Sequence, residues 1–124
     1  MAGVLMIAIQ AIPYGRAHAN PHVVAEPDWD SAVTRDLAVR ACFDCHSNET
    51  QWPWYSNVAP VSWLVQRDVD QGRAKANWSE WGQHAGDDES SERAETVSDG
   101  SMPPWAFNIL HPEARLTDEE LYAL

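Results

Sequence analysis

The chain has 124 residues, which is enough for one compact domain with a core but too few for two. Apolar residues make up 44% of the chain and seven residues are tryptophan, so a globular protein is expected and a disordered one is not. The formal net charge is −11 and the eight lysines and arginines are scattered, so there is no basic stripe to neutralise phosphates. This composition argues against nucleic-acid binding.

The N-terminal segment is apolar from Ala2 to Ile12 but shorter than the roughly twenty residues that a spanning helix needs. The sequence Pro13-Tyr14-Gly15-Arg16 then ends the apolar run with a turn and a charge. The next residues contain Pro and Asp without any periodicity, as linkers do. The chain is therefore expected to divide into a truncated signal or membrane-anchor segment (1–16), a linker (17–29) and a domain (30–124). The alternative for the first segment is a buried amphipathic or core segment.

The first helix of the domain is predicted to begin at Ser31, a residue type that caps helix N-termini, and to run to about Cys45. Its apolar positions recur at helical spacing, which places both cysteines on the buried face. Those positions are Val33, Leu37, Ala41, Cys42 and Cys45.

A loop without regular structure is predicted for residues 47–60, which contain two prolines and the run Trp52-Pro53-Trp54-Tyr55. Pro60 suits the first turn of a second helix that extends to about Asn77. On this helix, Val61, Val65 and Val69 recur every four residues, and Trp63, Leu64 and Trp78 widen the apolar face.

After an acidic loop (86–92), a weakly amphipathic third helix is predicted, with only Ala94 and Val97 on its inner face. Gly100 suits the C-terminal cap of that helix. Thr117 and Glu120 form a capping box that opens a last helix. Because no alternating strand pattern occurs anywhere, the predicted fold class is all-α.

The most specific motif is Cys42-Phe43-Asp44-Cys45-His46. Positions i, i+3 and i+4 of a helix share one face, so the two thiols and the imidazole would point at one object. In c-type haem attachment the thiols form thioethers with the two vinyl groups, and the imidazole binds the iron. The motif therefore predicts one covalently attached haem (haem c) in the chain.

Three other interpretations of the motif stay open, of which the simplest is that two buried cysteines occur close together by chance. A thioredoxin-like dithiol would place the cysteines at a helix N-terminus after a strand, whereas here they lie near a predicted helix C-terminus. A zinc site could combine the cysteines with His46, His84 or His111, but the chain lacks a second closely spaced pair of ligands.

A six-coordinate haem needs a second axial ligand, and the thioether of Met102, in a loop stiffened by Pro103 and Pro104, is the first choice. His111 is the rival ligand, and the remaining histidines are expected at the surface or at helix ends. Four aromatic residues are candidates for the walls of the haem pocket. They are Trp52, Trp54, Tyr55 and Trp105.

These motifs together resemble the bacterial haem-binding-domain family, small cytochrome-c-like proteins that typically begin with a membrane anchor. The resemblance runs over nearly the whole chain and includes Arg40-Ala41-Cys42-Phe43-Asp44-Cys45-His46-Ser47-Asn48-Glu49-Thr50, Trp52-Pro53-Trp54-Tyr55-Ser56, Ala59-Pro60-Val61-Ser62-Trp63, Met102-Pro103-Pro104 and His111-Pro112. It implies a cytochrome-c-like all-α domain with Cys42 and Cys45 as attachment sites and with His46 and Met102 as axial ligands.

The expected function is single-electron transfer between redox partner proteins, because two axial ligands keep substrates away from the iron. The alternative is a haem peroxidase or gas sensor, in which the sixth ligand is labile and His84 or His111 serves as a distal acid or base. Haem attachment of this kind takes place on the outer face of the bacterial cytoplasmic membrane. We therefore expect an exported protein, in the periplasm or anchored to that membrane.

Overall fold

The computed structural model describes residues 1–83 and 90–124, and over these ranges the chain is mostly helical and contains no β-strand. This agrees with the predicted all-α class. Extended pairing is confined there to one isolated parallel bridge, between Ala25 and Glu80. The α-helices are α1 (Ala2–Ala8), α2 (Ala32–Ala41), α3 (Phe43–His46), α4 (Val61–Lys75), α5 (Ser90–Ser98), α6 (Trp105–Leu110) and α7 (Asp118–Ala123).

Helix α2 begins where the sequence predicted, because the hydroxyl of Ser31 accepts a hydrogen bond of 3.1 Å from the Thr34 amide. The helix does not continue to Cys45, since the backbone leaves helical geometry at Cys42 (φ −128°) and α3 then starts afresh. The prediction for Val33 was also wrong, because this side chain is exposed. The buried face of α2 consists of Thr34, Leu37, Ala38 and Ala41.

Helix α4 begins directly after Pro60, as predicted, and contains the most buried large side chain of the core, Val69, at 1% exposure. Val61 and Leu64, both assigned to the apolar face, are exposed instead. Gly72 lies against α3 so closely that a Cβ on it would overlap the carbonyl oxygen of Cys45. The absence of a side chain at Gly72 therefore allows α3 and α4 to pack backbone to backbone.

Several short helical elements were not predicted from the sequence. Residues Trp54–Asn57 form a 3₁₀ helix within the stretch that was predicted to be irregular. Helix α6 begins after Pro104, and another 3₁₀ helix (Pro112–Ala114) follows it. Pro suits the beginning of a helix because it has no amide proton to leave unpaired, but the six residues of α6 are too few to show an apolar periodicity.

The caps predicted for the C-terminal half are present. Gly100 follows α5 with a positive φ of 78°, a conformation that glycine adopts without strain. Thr117 accepts a hydrogen bond from the Glu120 amide, and the Glu120 carboxylate accepts one from the Thr117 amide. Ala94 is exposed and Val97 half-buried, so α5 has only a weak inner face. Residues 86–89 of the predicted acidic loop lie outside the described residues. The prediction was wrong for residues 90–92, which already belong to α5.

The N-terminal segment forms the short helix α1, whose side chains are all exposed. Within the described ranges, no helix combines the length and the apolar character needed to cross a bilayer. Gln10, just after α1, attaches this segment to the domain. Its side chain accepts a hydrogen bond from the Ala59 amide (3.0 Å) and donates one to the Ala59 carbonyl (2.9 Å).

Residues 17–29 have no helix, as expected for a linker, but they make many hydrogen bonds to the domain. Asn20 donates to the Thr50 carbonyl at 2.9 Å, and the Val24 amide donates to the Ser79 carbonyl at 2.7 Å. Glu26 forms two hydrogen bonds of 2.7 Å with Arg35 on α2, which lower the pKa of the Glu26 carboxyl. The boundary predicted at residue 30 stays a prediction.

Replacing Gly72 with Ala is expected to lower the free energy of unfolding by about 2 kcal/mol or more, because the added methyl group forces α3 and α4 apart. The matched control is Gly3→Ala, where a Cβ meets nothing within 4 Å. The control is expected to change stability by less than about 0.5 kcal/mol. Urea unfolding followed by circular dichroism measures both variants, and equal stabilities would contradict the close packing.

Candidate functional site

A cavity of about 420 Å³ lies between the α2–α3 junction, the C-terminal half of α4, α5 and the residues around Met102. Its size is in the range of small-molecule and cofactor sites. Four of the residues singled out in the sequence line it: Cys42, Cys45, His46 and Met102. The motif and the methionine, 56 residues apart in the chain, therefore meet at one cavity.

The imidazole of His46 is held in one orientation by the chain that follows α4. Its Nδ1 lies 3.1 Å from the carbonyl oxygen of Ala76, and its ring stacks on Trp78 with the centroids 6.3 Å apart. Since a carbonyl can only accept, Nδ1 carries the proton and Nε2 keeps its lone pair for a metal. Burial lowers the pKa of His46, so the neutral, metal-binding form is present at pH 7.

The two cysteines are unpaired thiols beside this imidazole. Burial raises the pKa of both Cys42 and Cys45 to about 12, so both are protonated at neutral pH. Dithiol oxidoreductases rely on a thiolate at a helix N-terminus. Here Cys42 caps both the C-terminus of α2 and the N-terminus of the four-residue α3, but burial raises the pKa of its thiol and leaves it without that activation.

The turn after His46 is supported by a network of buried polar groups. The Asn77 amide group donates to the Asn48 side-chain oxygen at 2.8 Å, and the Asn48 backbone amide donates to the Ser79 hydroxyl at 2.9 Å. Arg73 on α4 donates to the Ser47 carbonyl at 2.7 Å and to the Thr50 hydroxyl at 3.0 Å. Buried polar groups are costly unless paired, so these bonds favour a single conformation of the turn.

Met102 reaches the cavity from the loop that follows α5. Its backbone amide donates to the Thr96 carbonyl at 2.9 Å, which ties the loop to the last turn of that helix. The side chain is 39% exposed and lines the cavity. The sulfur therefore lies at the cavity on a segment distant in sequence from His46.

His111, the rival ligand, is not among the residues that line this cavity. Its Nε2 lies 2.6 Å from the Tyr55 hydroxyl, and its Nδ1 lies 3.0 Å from a carboxylate oxygen of Glu113. Its ring stacks on Phe107 at 4.3 Å. Both ring nitrogens are thus already engaged in hydrogen bonds.

The four aromatic residues predicted as pocket walls lie elsewhere. Trp52 stacks on His18 at 4.8 Å, and the Tyr55 hydroxyl pairs with His111. Trp54 and Trp105 are 80% and 76% exposed. None of the four lines the cavity. Clusters of aromatic residues in the sequence did not identify the wall, because the position of a ring depends on the packing of distant segments.

The aromatic rings that do line the cavity are those of Trp78 and Phe107. The sequence placed Trp78 only at the end of the α4 face and gave no indication of Phe107. Apolar residues such as Ala41, Ala76 and Val97 contribute to the same wall. A flat, largely apolar ring system suits this lining.

The zinc interpretation required three or four clustered ligands. In residues 1–83 and 90–124, no group of three or more His, Cys, Asp or Glu side chains is arranged to hold a metal ion. His84, one of the proposed zinc ligands and a proposed distal histidine, lies outside these ranges.

The arrangement therefore combines two partly buried thiols, a neutral imidazole whose Nε2 keeps its lone pair, a thioether and a cavity with largely apolar walls. Thioether and imidazole are both axial ligands of haem iron, and thiols are the groups that attach haem covalently. The residue types at this cavity are therefore those that bind a haem.

Comparison with curated proteins found no match, and comparison with solved structures found none either. The sequence model of a family described as the Haem-binding domain matches residues 4–124. The match contains every residue that lines the cavity. The chain thus belongs to the haem-binding domain family, with haem as its cofactor.

Proposed function

We propose that the protein is a monohaem c-type cytochrome that carries single electrons between redox partner proteins. The observation that carries this proposal is the meeting of Cys42, Cys45, His46 and Met102 at one cavity. Bound haem supplies a reversible one-electron change at iron. The chain attaches the haem, orients it and restricts access to the metal.

Covalent attachment needs one thiol for each vinyl group. In each addition, a carbon–sulfur bond forms to one vinyl carbon and the thiol hydrogen goes to the other, so no oxidant or reductant is consumed. Cys42 and Cys45 are unpaired, and both line the cavity that contains His46. Cys42 lies where the chain passes from α2 to α3, and Cys45 follows within α3. This spacing supports attachment of both thiols to one ring.

His46 is the proposed proximal ligand. The hydrogen bond from its Nδ1 to Ala76 holds the ring, strengthens Nε2 as a donor to iron and leaves only that nitrogen available. Met102 is the proposed second ligand because its side chain lines the cavity, whereas His111 is bonded through both nitrogens to Tyr55 and Glu113. With both residues bound, the iron would keep no open position for a substrate, which favours an electron carrier over a peroxidase or a gas sensor.

The protein made together with haem-attachment machinery is expected to retain haem in a denaturing gel, and its pyridine haemochrome should be that of two thioether bonds. Cys42→Ser or Cys45→Ser should leave one thioether and shift the haemochrome band, and the double variant should lose covalent haem completely. Ser98→Ala, at an exposed position, is the control and should behave like the wild type. Haem that acidic acetone extracts from the wild type would refute covalent attachment.

Met102→Ala is expected to remove the sulfur-to-iron absorption band of the ferric protein, to allow carbon monoxide to bind the ferrous form, and to lower the reduction potential. The fall should be on the order of 0.1 V, within the roughly 0.8 V range over which axial ligands tune haem. His111→Ala should leave the band in place. The result that would instead support the peroxidase or sensor alternative is a wild-type protein that is already five-coordinate and binds carbon monoxide.

We further propose that the protein is exported and held at the outer face of the bacterial cytoplasmic membrane by its N-terminal segment. The side chains of α1 that support this are apolar and exposed, including Val4, Leu5 and Ile7. Full-length protein should sediment with membranes. Replacement of residues 4–7 by serine within an otherwise intact exported chain should release it into the soluble periplasmic fraction, and an unchanged distribution would refute the anchor.

A further inference from the structure

A second cavity, of about 530 Å³, lies next to the cavity that is proposed to hold the haem. We call the latter the haem cavity. The walls of the second cavity are the end of the linker, Trp81, α5 and α7. Three side chains line both cavities and form a common wall: Trp78, Arg93 and Val97. The second cavity is thus separated from the haem cavity by a single layer of side chains.

The lining of the second cavity is unusually rich in aromatic rings. Trp29, Trp78, Trp81 and Tyr122 all contribute to it. The polar side chains that line it are those of Arg93, Ser98 and Asp118. The guanidinium of Arg93 lies 5.1 Å from the centre of the Trp81 ring, and Asp118 belongs to the first turn of α7. Mostly aromatic walls with a few charged groups are typical of sites that bind a small ring compound.

Trp78 connects this cavity to the proposed haem ligand. Its ring stacks on His46 on one side, at 6.3 Å, and meets Trp29 edge to face on the other, at 5.5 Å. Trp29 itself lines the second cavity. A continuous series of ring contacts therefore runs from the second cavity to the imidazole.

We propose that the second cavity binds a planar hydroquinone, which donates electrons to the haem through Trp78. The proposal rests on the proposed electron-transfer function and gives it an electron donor. The hydroquinone ring would stack on the tryptophans, one hydroxyl would donate to Asp118, and the other oxygen would accept from Arg93. A neutral ring compound also avoids repulsion by a chain of net charge −11.

The reaction balances without a further reagent. One hydroquinone loses two electrons and two protons and becomes the quinone. Two ferric haems, on two protein molecules, each gain one electron and become ferrous, and the two protons pass to water. The quinone product has the same ring and size and keeps the ring stacking and the hydrogen bond from Arg93, although it loses the hydroxyl that donates to Asp118, so it serves as a stable probe of the cavity.

The test measures equilibrium binding of duroquinone to the haem-loaded ferric protein by dialysis, which requires no electron transfer. Ala94 lines the second cavity and is exposed on α5, so Ala94→Trp should fill the cavity and weaken binding by about tenfold or more. Ala74→Trp is the matched control, since Ala74 is an exposed helical alanine that lines neither cavity. The control should bind like the wild type.

A second variant, Tyr122→Ala, removes an exposed ring from the rim and should weaken binding about threefold to tenfold. The rate at which durohydroquinone reduces the ferric haem should fall in the same order for the two cavity variants. Equal affinities for Ala94→Trp and Ala74→Trp, or no binding to the wild type, would overturn the proposal.

Failure of this proposal is distinguishable from failure of the proposed function. A protein with covalent haem that dithionite reduces fully, but that does not bind duroquinone, contradicts only the second cavity. Binding that persists in Ala94→Trp and displaces an axial ligand from the iron would place the quinone at the haem instead, and would likewise overturn the proposal.

Discussion

The close approach of Gly72 to the backbone of Cys45 is the contact on which the rest of the site depends. Because no side chain intervenes, α4 runs directly across α3. The end of α4 and the residue after it are thereby brought within reach of the motif and its turn: Arg73 donates to the Ser47 carbonyl, and the Ala76 carbonyl accepts from His46. One glycine thus positions both the imidazole and the turn that follows it.

Hydrogen bonds between buried polar side chains add to the stability of this packing. The side chains that are almost fully buried include several serines and asparagines, while Val69 is the only large aliphatic one among the described residues below 2% exposure. A core of this kind has a modest hydrophobic contribution, so its uniqueness depends on satisfied hydrogen bonds such as those of Asn48 with Asn77 and Ser79. Haem in the adjacent cavity would add apolar contact area and, by binding the folded state, stabilise it.

The sequence was informative where local chemistry decides the structure. Ser31, Pro60 and the Thr117–Glu120 pair each act through their nearest neighbours, and each marks a helix start that the structure contains. The motif residues and Met102 were recognised because their chemistry is specific, and all four line one cavity. The sequence could not reveal that the predicted helix is interrupted at Cys42, because the direction of α3 depends on its contact with α4.

Long-range packing accounts for the errors. The tryptophans around Pro53 were assigned to the pocket because they cluster in sequence, yet Trp52 pairs with His18 and Trp54 faces outward. Trp78 and Phe107 line the cavity instead, and nothing near either of them in the sequence distinguishes them from ordinary apolar residues. His111 was predicted as a possible metal ligand, but the sequence does not show its hydrogen bonds with Tyr55 and Glu113, which form only in the folded chain.

The hydrogen-bonded course of residues 17–29 has a consequence for how the domain would move. A flexible segment of thirteen residues has a root-mean-square end-to-end distance of about 20 Å. A domain tethered by such a segment would reorient freely within that distance. Here Asn20, Val24 and Glu26 are each bonded to the domain, and Gln10 is bonded to Ala59. These bonds fix the orientation of the domain relative to α1. If α1 were bound to a surface, the same side of the domain would always face away from that surface and be the side that a diffusing protein contacts first.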